Sequence, residues 1–294
     1  MPMFHRKDHP PAHVPTGTAP PHAADHDEDW RTYDSVAQTY GRTLERMTGP
    51  PSADLVRLLE IKPGAKVLDV GTGTGVGARA AAEAAGPTGV VIGVDPSLPM
   101  LRQAVGRAGG SRYAAAASID LPFRDGAFGY LVASFVLSHF PKYETALFDM
   151  LRVLAPGGRM AASSWAAGED GDDFSMAWQE VTEEFAEHEM LTDAHDRAVP
   201  WEERFSDPVA LKEALHEAGL RDIWIEHRDY RVELTAEDYL AGREIASAGR
   251  FLRQMLGPDL WEAFRRRVRE VFAERFPPAF NDFHQAILAV GHKP

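Results

Sequence analysis

Apolar and polar positions change period several times along this chain, and the changes mark out a repeating order of elements. Short apolar runs at 65–70, 89–95, 112–117, 129–136 and 159–165 are bounded by turn residues and read as buried strands. Between them, 75–86, 97–108 and 143–154 carry apolar residues at helical spacing. Pro96 and Pro99 mark the start of the second of these helices, and Pro156-Gly157-Gly158 stops the third. Upstream, 34–47 and 53–59 predict two further helices. Downstream, an acidic linker at 168–173 leads into helical segments reaching about 217. Period-two alternation (Ile223, Ile225; Tyr230, Val232) then predicts a long strand over 222–234, a second helical stretch covers 236–276, and 282–291 reads as the last strand. Strands alternating with helices imply a parallel sheet covered on both faces.

The most informative nine residues are Val67-Leu68-Asp69-Val70-Gly71-Thr72-Gly73-Thr74-Gly75, a strand breaking into a glycine turn that opens an alanine-rich helix. Glycines spaced by two let the backbone pass close under a ligand and leave amide N–H groups free at a helix N-terminus. Asp69, just ahead of the turn, would repel a phosphate and suits a ligand carrying positive charge. The turn fails the G-x-G-x-x-G pattern of a dinucleotide site, since Val76 stands where the third glycine belongs, and no G-x-x-x-x-G-K-[ST] segment exists. A second strand ends in a carboxylate at Asp95, and a carboxylate at a strand tip can accept both hydroxyls of a ribose diol.

D-x-G-x-G-x-G over 69–75 resembles motif I of the class I S-adenosylmethionine-dependent methyltransferases. The resemblance continues in order through Asp95, Leu121-Pro122-Phe123, and the R-V-L-x-P-G-G turn from Arg152 to Gly158. Upstream, Tyr33-Asp34-Ser35-Val36-Ala37-Gln38-Thr39-Tyr40 is similar to the Y-D-x-x-A-x-x-Y segment of the UbiE-like, small-molecule branch. Five ordered matches over roughly 33–165 are far more specific than one glycine turn. The implied fold is α/β: a Rossmann-like, doubly wound, mostly parallel seven-stranded sheet with a helical cap made of insertions. In that reading 29–294 form one domain, with its core at 60–165, 218–235 and 280–294. The inserts 168–217 and 236–276 would cap the strand C-termini, where such sheets bind ligands.

The resemblance implies S-adenosyl-L-methionine as cofactor. Asp69, Gly71, Thr72 and Gly73 would meet its methionine moiety, Asp95 its ribose, and Ala117, Ser118 and Ile119 its adenine edge. Pro96 and Met100 would flank the ribose, though Met100 reads equally as core filler. Ser134, at the tip of the fourth strand, would face the methionine end. The family often has an acid where this chain has Ala117, so the adenine contact is left to backbone groups and to nearby Asp120. Tyr33 and Tyr40, seven apart, would share a face if both are helical, as a lid over the cofactor or simply as amphipathic helix residues. His139, in Ser134-Phe135-Val136-Leu137-Ser138-His139-Phe140, resembles a catalytic histidine at the rim where an acceptor must approach. It reads as a general base or as a structural histidine bonding its own loop. In some sugar O-methyltransferases of the family an Asp partners that histidine; here Ser164 holds the comparable place.

Composition narrows the acceptor more than the cofactor. The chain has 294 residues, 44% of them hydrophobic, and no apolar run reaches the roughly 18–20 residues of a membrane span. There is no cysteine, hence no disulfide, no thiolate metal site and no thiol-dependent methyl transfer such as that on arsenic. A formal charge of −13 disfavours nucleic acid. Arg265-Arg266-Arg267 interleaves with Trp261, Phe264 and Val268 and reads as the solvated face of an amphipathic helix. Residues 1–28, rich in proline and with five irregularly spaced histidines, read as a disordered tail rather than a metal site.

The expected activity is methyl transfer to O, N or C of a small-molecule metabolite, natural-product intermediates included, in the cytoplasm, with no metal, no nucleic acid and no membrane partner. A cyclase or other non-methylating enzyme on the same fold is the alternative, and a macromolecular methyltransferase the third. The helical inserts or the N-terminal helix are compatible with a homodimer, and nothing in the pattern requires one.

Overall fold

The computed structural model describes residues 32–107, 109–167 and 173–294. The tail over 1–28 and nearly all of the acidic linker lie outside the described residues. Seven strands form one sheet: β1 (Lys66–Val70), β2 (Val90–Asp95), β3 (Arg112–Ala115), β4 (Phe128–Ser134), β5 (Leu154–Trp165), β6 (Arg221–Thr235) and β7 (Ala279–His292). Their order is β3-β2-β1-β4-β5-β7-β6. The first five run parallel, and β7 is antiparallel to both its neighbours. The order reverses between β1 and β4, and the crevice at such a switch point is where ligands of doubly wound sheets sit.

Strands buried on both faces carry the central sheet, with Val67, Leu68, Leu131, Val132, Ala161 and Ala162 all fully buried. On one face α5 (Tyr143–Val153) and α9 (Pro208–Ala218) pack through Leu147, Met150, Leu211 and Leu215. On the other, α2 (Glu45–Leu58) and α3 (Val76–Ala85) pack through Leu55, Val56, Ala78 and Ala81. The shorter α4 (Leu98–Val105) runs beside β3 and is capped by the Ser97 hydroxyl, which accepts from Met100 N–H at 3.3 Å.

A third apolar cluster belongs to α6 (Asp173–Glu183), α7 (His188–Ala198), α10 (Ala236–Ile245) and α11 (Ser247–Arg275). Trp178, Trp261, Phe264 and Phe272 fill it, together with Phe280 from the start of β7. Gly257, at φ 69°, breaks α11. Arg265, Arg267 and Arg269 pair with Glu244, Glu262 and Glu184, so the basic run is a surface ion-pair face.

Two expectations are corrected. The stretch 168–217 is not all cap: short α8 (Glu202–Phe205) and α9 contribute Phe205, Leu211, Ala214 and Leu215 to the main core, because their apolar faces meet α5, β5 and β6. The helix expected over 34–47 is split into a 3-10 turn (Asp34–Val36), α1 (Ala37–Arg42) and the start of α2 at Glu45. Pro50 and Pro51 lie inside α2 instead of before it.

Candidate functional site

At the C-terminal ends of β1, β2 and β4 the sequence leaves the sheet abruptly, and each exit supplies part of one cleft. After β1 the chain turns through Gly71, Gly73 and Gly75, all at positive φ (68°, 53° and 85°). A Cβ at Gly71 would stand inside the Val136 side chain, and one at Gly75 would meet the Tyr113 hydroxyl at 2.5 Å, so two of these glycines are required sterically as well as conformationally. Beneath the turn, Asp69 is 2% exposed and accepts the Thr72 hydroxyl at 2.6 Å. Burial pushes its carboxyl up to about 7, with the Thr72 hydrogen bond acting the other way.

After β2, Asp95 accepts the Gly73 N–H through Oδ2 and the Ser97 N–H through Oδ1, both at 2.9 Å. Burial raises its carboxyl above the usual range, and these two amides oppose the rise. A carboxylate has about four lone-pair sites, so two bonds from the backbone leave room for a diol. Ser97 in turn donates to Asp34 at 2.5 Å, which ties the N-terminal segment to this edge. After β4, Ser134 is within 2.7 Å of the Ser52 hydroxyl and 3.2 Å of Ser163, and Phe135 takes a positive φ of 53°.

These exits enclose two contiguous spaces. The larger, about 720 Å³, is lined by Tyr33, Tyr40, Gly71, Gly73, Asp95, Pro96, Met100, Ala117, Ser118, Ile119, Ser134 and His139 among others. A small annex of about 50 Å³ shares Tyr40, Gly71, Gly73, Ser134 and Phe135 with it and adds Asp69, Thr72 and Thr74. Every residue named from the sequence as a cofactor contact therefore lies on one of the two walls, and so does His139. Met100 is 3% exposed, lining the cavity while also packing the core.

Tyr33 is not helical but caps the 3-10 turn, and its ring still meets Tyr40 edge-on at 5.7 Å. It meets His139 edge-on at the same separation, while the buried Arg250 guanidinium of α11 lies 4.4 Å over its face. His139 is half-buried in a 3-10 turn after β4. Burial holds its pKa down to about 4; the Glu202 charge and the Ala198 backbone act in the opposite direction. Ser164 does not reach it, donating instead to the Phe205 carbonyl at 2.6 Å.

Reading by motif passed over Asp34, Ser52, Thr74, Ser97, Phe135 and Val136, all of which line the cleft. Thr74 lay within the glycine motif and Asp34 within the Tyr33–Tyr40 segment, so the signal was present for those two. Ser52 comes from a helix with no such pattern. Among the described residues there is no cluster of three His, Cys, Asp or Glu that could hold a metal, and no helix is long and apolar enough to cross a membrane.

A cleft at the switch point, with a glycine turn, a diol-accepting carboxylate and a buried acid, defines an α/β protein that takes a nucleoside joined to a cationic group. Residues 68–162 match the family described as the methyltransferase domain. Nocamycin O-methyltransferase of Saccharothrix syringae is 27% identical over 244 residues, 77% of this chain and 84% of that protein. Demethylmenaquinone methyltransferase of Thermus thermophilus is 42% identical over 99 residues, 32% of this chain and 44% of the relative. The chain thus spans less than half the length of the demethylmenaquinone enzymes it matches.

Two solved structures share the fold. YcgJ of Bacillus subtilis has a TM-score of 0.52 at 23% identity, covering 83% of this chain and 98% of its own. Phosphoethanolamine N-methyltransferase 2 of Haemonchus contortus, in complex with S-adenosyl-L-methionine, has a TM-score of 0.51 at 18% identity, covering 91% and 60%. Residues 68–162 thus carry the likeness to a methyltransferase domain, the relatives similar to the chain over this segment are methyltransferases, and the cofactor such a domain implies is S-adenosylmethionine.

The residues fit that cofactor on structural grounds. The Thr74 hydroxyl, 1% exposed beside the annex, lacks a hydrogen-bond partner among the described residues, as a group awaiting a polar ligand would. The glycine turn excludes the Cβ atoms that would fill the cradle.

Proposed function

We propose that this chain methylates an oxygen of a small, largely apolar acceptor that enters beside His139. The observation that carries the reading is the imidazole itself, on the wall of the same cavity as Gly71, Asp95 and Ser134. The likeness to an O-methyltransferase over 77% of the chain supports oxygen as the acceptor atom. A formal charge of −13 speaks for a small molecule rather than nucleic acid.

The bound cofactor supplies a methyl group already activated on a sulfonium. The protein's task is then alignment and exclusion of water, and orientation alone is worth effective molarities of about 10⁵–10⁸ M. Asp69, Thr72 and Thr74 would hold the amino-acid end, Asp95 the ribose, and Ala117, Ser118 and Ile119 the adenine edge. Tyr33 and Tyr40 would close the roof over the transfer site. His139, held neutral by burial at physiological pH, would orient the acceptor hydroxyl and take up its proton as the new bond forms.

Calorimetry with S-adenosylmethionine on wild type and Asp95→Ala, followed by product mass with a panel of hydroxylated aromatic and enolic acceptors, tests the reading. Affinity should fall by about 1.5–3 kcal/mol in Asp95→Ala. His139→Ala should keep cofactor affinity and lose about 10²–10⁴-fold in turnover. A product methylated on nitrogen or carbon, or full turnover in His139→Ala, would overturn it.

A further inference from the structure

Arg79 is the fourth residue of α3, just past the glycine turn, and a cation so near a helix N-terminus works against the helix dipole. Its guanidinium is engaged on two sides. Nη1 donates to the Thr74 carbonyl at 2.7 Å, and Nη2 donates to the Glu45 carboxylate at 3.2 Å. Thr74 belongs to the glycine turn, and its buried hydroxyl, without a hydrogen-bond partner among the described residues, lies on the annex. Glu45 opens α2, in the N-terminal segment that roofs the cleft. Its other oxygen accepts from Arg107 Nη1 at 2.7 Å, just past α4, and that nitrogen is 3.4 Å from the Gly41 carbonyl of α1. Glu45, Thr48 and Ser52 follow at i, i+3 and i+7 on one stripe of α2, and the last two line the annex with Tyr40.

We infer that Arg79 is a positioning residue for cofactor binding, a guanidinium fork that locks the glycine turn to the roof when S-adenosylmethionine fills the annex between them. The inference rests on the annex as the cofactor's amino-acid end. The planar fork suits a carbonyl and a carboxylate presented at a fixed angle, a geometry that a lysine ammonium does not reproduce. The side chains of Glu45 and Arg79 are 16% and 24% exposed, so salt screens their attraction less than that of a fully exposed pair.

The two partners of Arg79 respond differently to opening. Thr74 lies five positions away on the same turn and helix, so that bond survives when the roof lifts. Glu45 leaves with the roof, and its bond to Arg79 exists in the closed state alone. A ligand touching Thr74 on one wall and Tyr40, Thr48 and Ser52 on the other favours closure. By reciprocity, the Glu45–Arg79 pair then raises the affinity for that ligand.

The test is a double-mutant cycle on the full chain: wild type, Glu45→Gln, Arg79→Met and the double variant. Each is titrated with S-adenosylhomocysteine by calorimetry and unfolded in urea without ligand. Each single variant should bind about ten-fold more weakly, and the double variant about as weakly as either single, a coupling of about ten-fold. Without ligand, the unfolding constants should combine additively to within about two-fold, because a pair across an open roof contributes little. Single effects that multiply in S-adenosylhomocysteine affinity overturn the inference. So does a coupling confined to unfolding, which is the mark of a purely structural ion pair. Arg79→Lys, charged but without the fork, should bind between wild type and Arg79→Met. At saturating ligand, residues 40–48 should exchange amide hydrogens faster in both single variants than in wild type, and identical rates overturn the inference as well. Failure of wild type to bind S-adenosylhomocysteine would sink the cofactor reading itself, whereas tight wild-type binding with an uncoupled cycle sinks this inference alone.

Discussion

Asp69 carries the sharpest residue-scale consequence. Its folded pKa is raised to about 7 by burial, so the folded state holds a proton that the unfolded chain gives up near pH 4. Between those two values the native state binds more protons than the denatured one, and stability falls as pH rises. Urea unfolding at pH 5 and pH 7 should show wild type losing about 2 kcal/mol relative to Asp69→Asn across that interval. A parallel pH dependence in the two proteins would mean the carboxyl ionises freely beneath the turn. Gly71→Ala should be more severe for function than Asp95→Ala, because its Cβ has no space beside Val136 and φ is 68°. That variant should keep its circular dichroism and lose measurable cofactor binding. Asp69, Gly71 and Asp95 were all legible as residues, since their chemistry is local to a strand end. Trp201 was not legible: nothing in its own neighbourhood indicates that its indole bonds a loop more than 60 positions earlier.

At the scale of elements, the period of apolar positions located every strand, because buried parallel strands leave short continuous apolar runs. Boundaries slipped where local and tertiary preferences conflict. Gly49-Pro50-Pro51 signals a break, yet α2 runs through it from Glu45 to Leu58, with Pro51, Ser52, Leu55 and Val56 buried against the sheet. Packing offsets the lost backbone hydrogen bonds. In α11 the opposite holds: a helical pattern over 236–276 hides a true break at Gly257. A Cβ at Gly257 meets nothing within 4 Å, so Gly257→Ala isolates backbone strain. It should lower stability by about 1 kcal/mol in urea unfolding, with cofactor affinity unchanged. A neutral result would show that the two halves of α11 straighten at no cost.

Across the whole molecule, two core clusters clasp the sheet and a third holds the insert helices together. The cleft lies where these bodies meet, bridged by Ser97 to Asp34, Arg46 to Asp238 at 3.2 Å, and Arg250 over Tyr33. Surface and aromatic contacts of this kind are individually worth about 1 kcal/mol or less, so the N-terminal segment should open more readily than the sheet. Hydrogen exchange should show residues 33–48 protected far less than β1 and β4 in the free protein, and gaining protection with S-adenosylhomocysteine. Saturation at about 100 times Kd should add roughly 2.7 kcal/mol to global stability. Equal protection of both regions without ligand would remove the picture of a roof that closes on the cofactor.

The sequence by itself determined the strand order of chemistry along the chain: glycine turn, carboxylate, serine tip and rim histidine each follow a strand that its own apolar period reveals. It determined the cofactor class too, because a glycine turn with an acid before it and an acid after the next strand is a local pattern read within about 30 residues. Only the tertiary structure decided that α8 and α9 belong to the sheet's core. It alone brought Ser52 to Ser134 and docked Trp201 onto the loop that holds His139. Those arrangements join segments separated by tens of residues, and their energy comes from burial and hydrogen bonds formed only once the insert has docked.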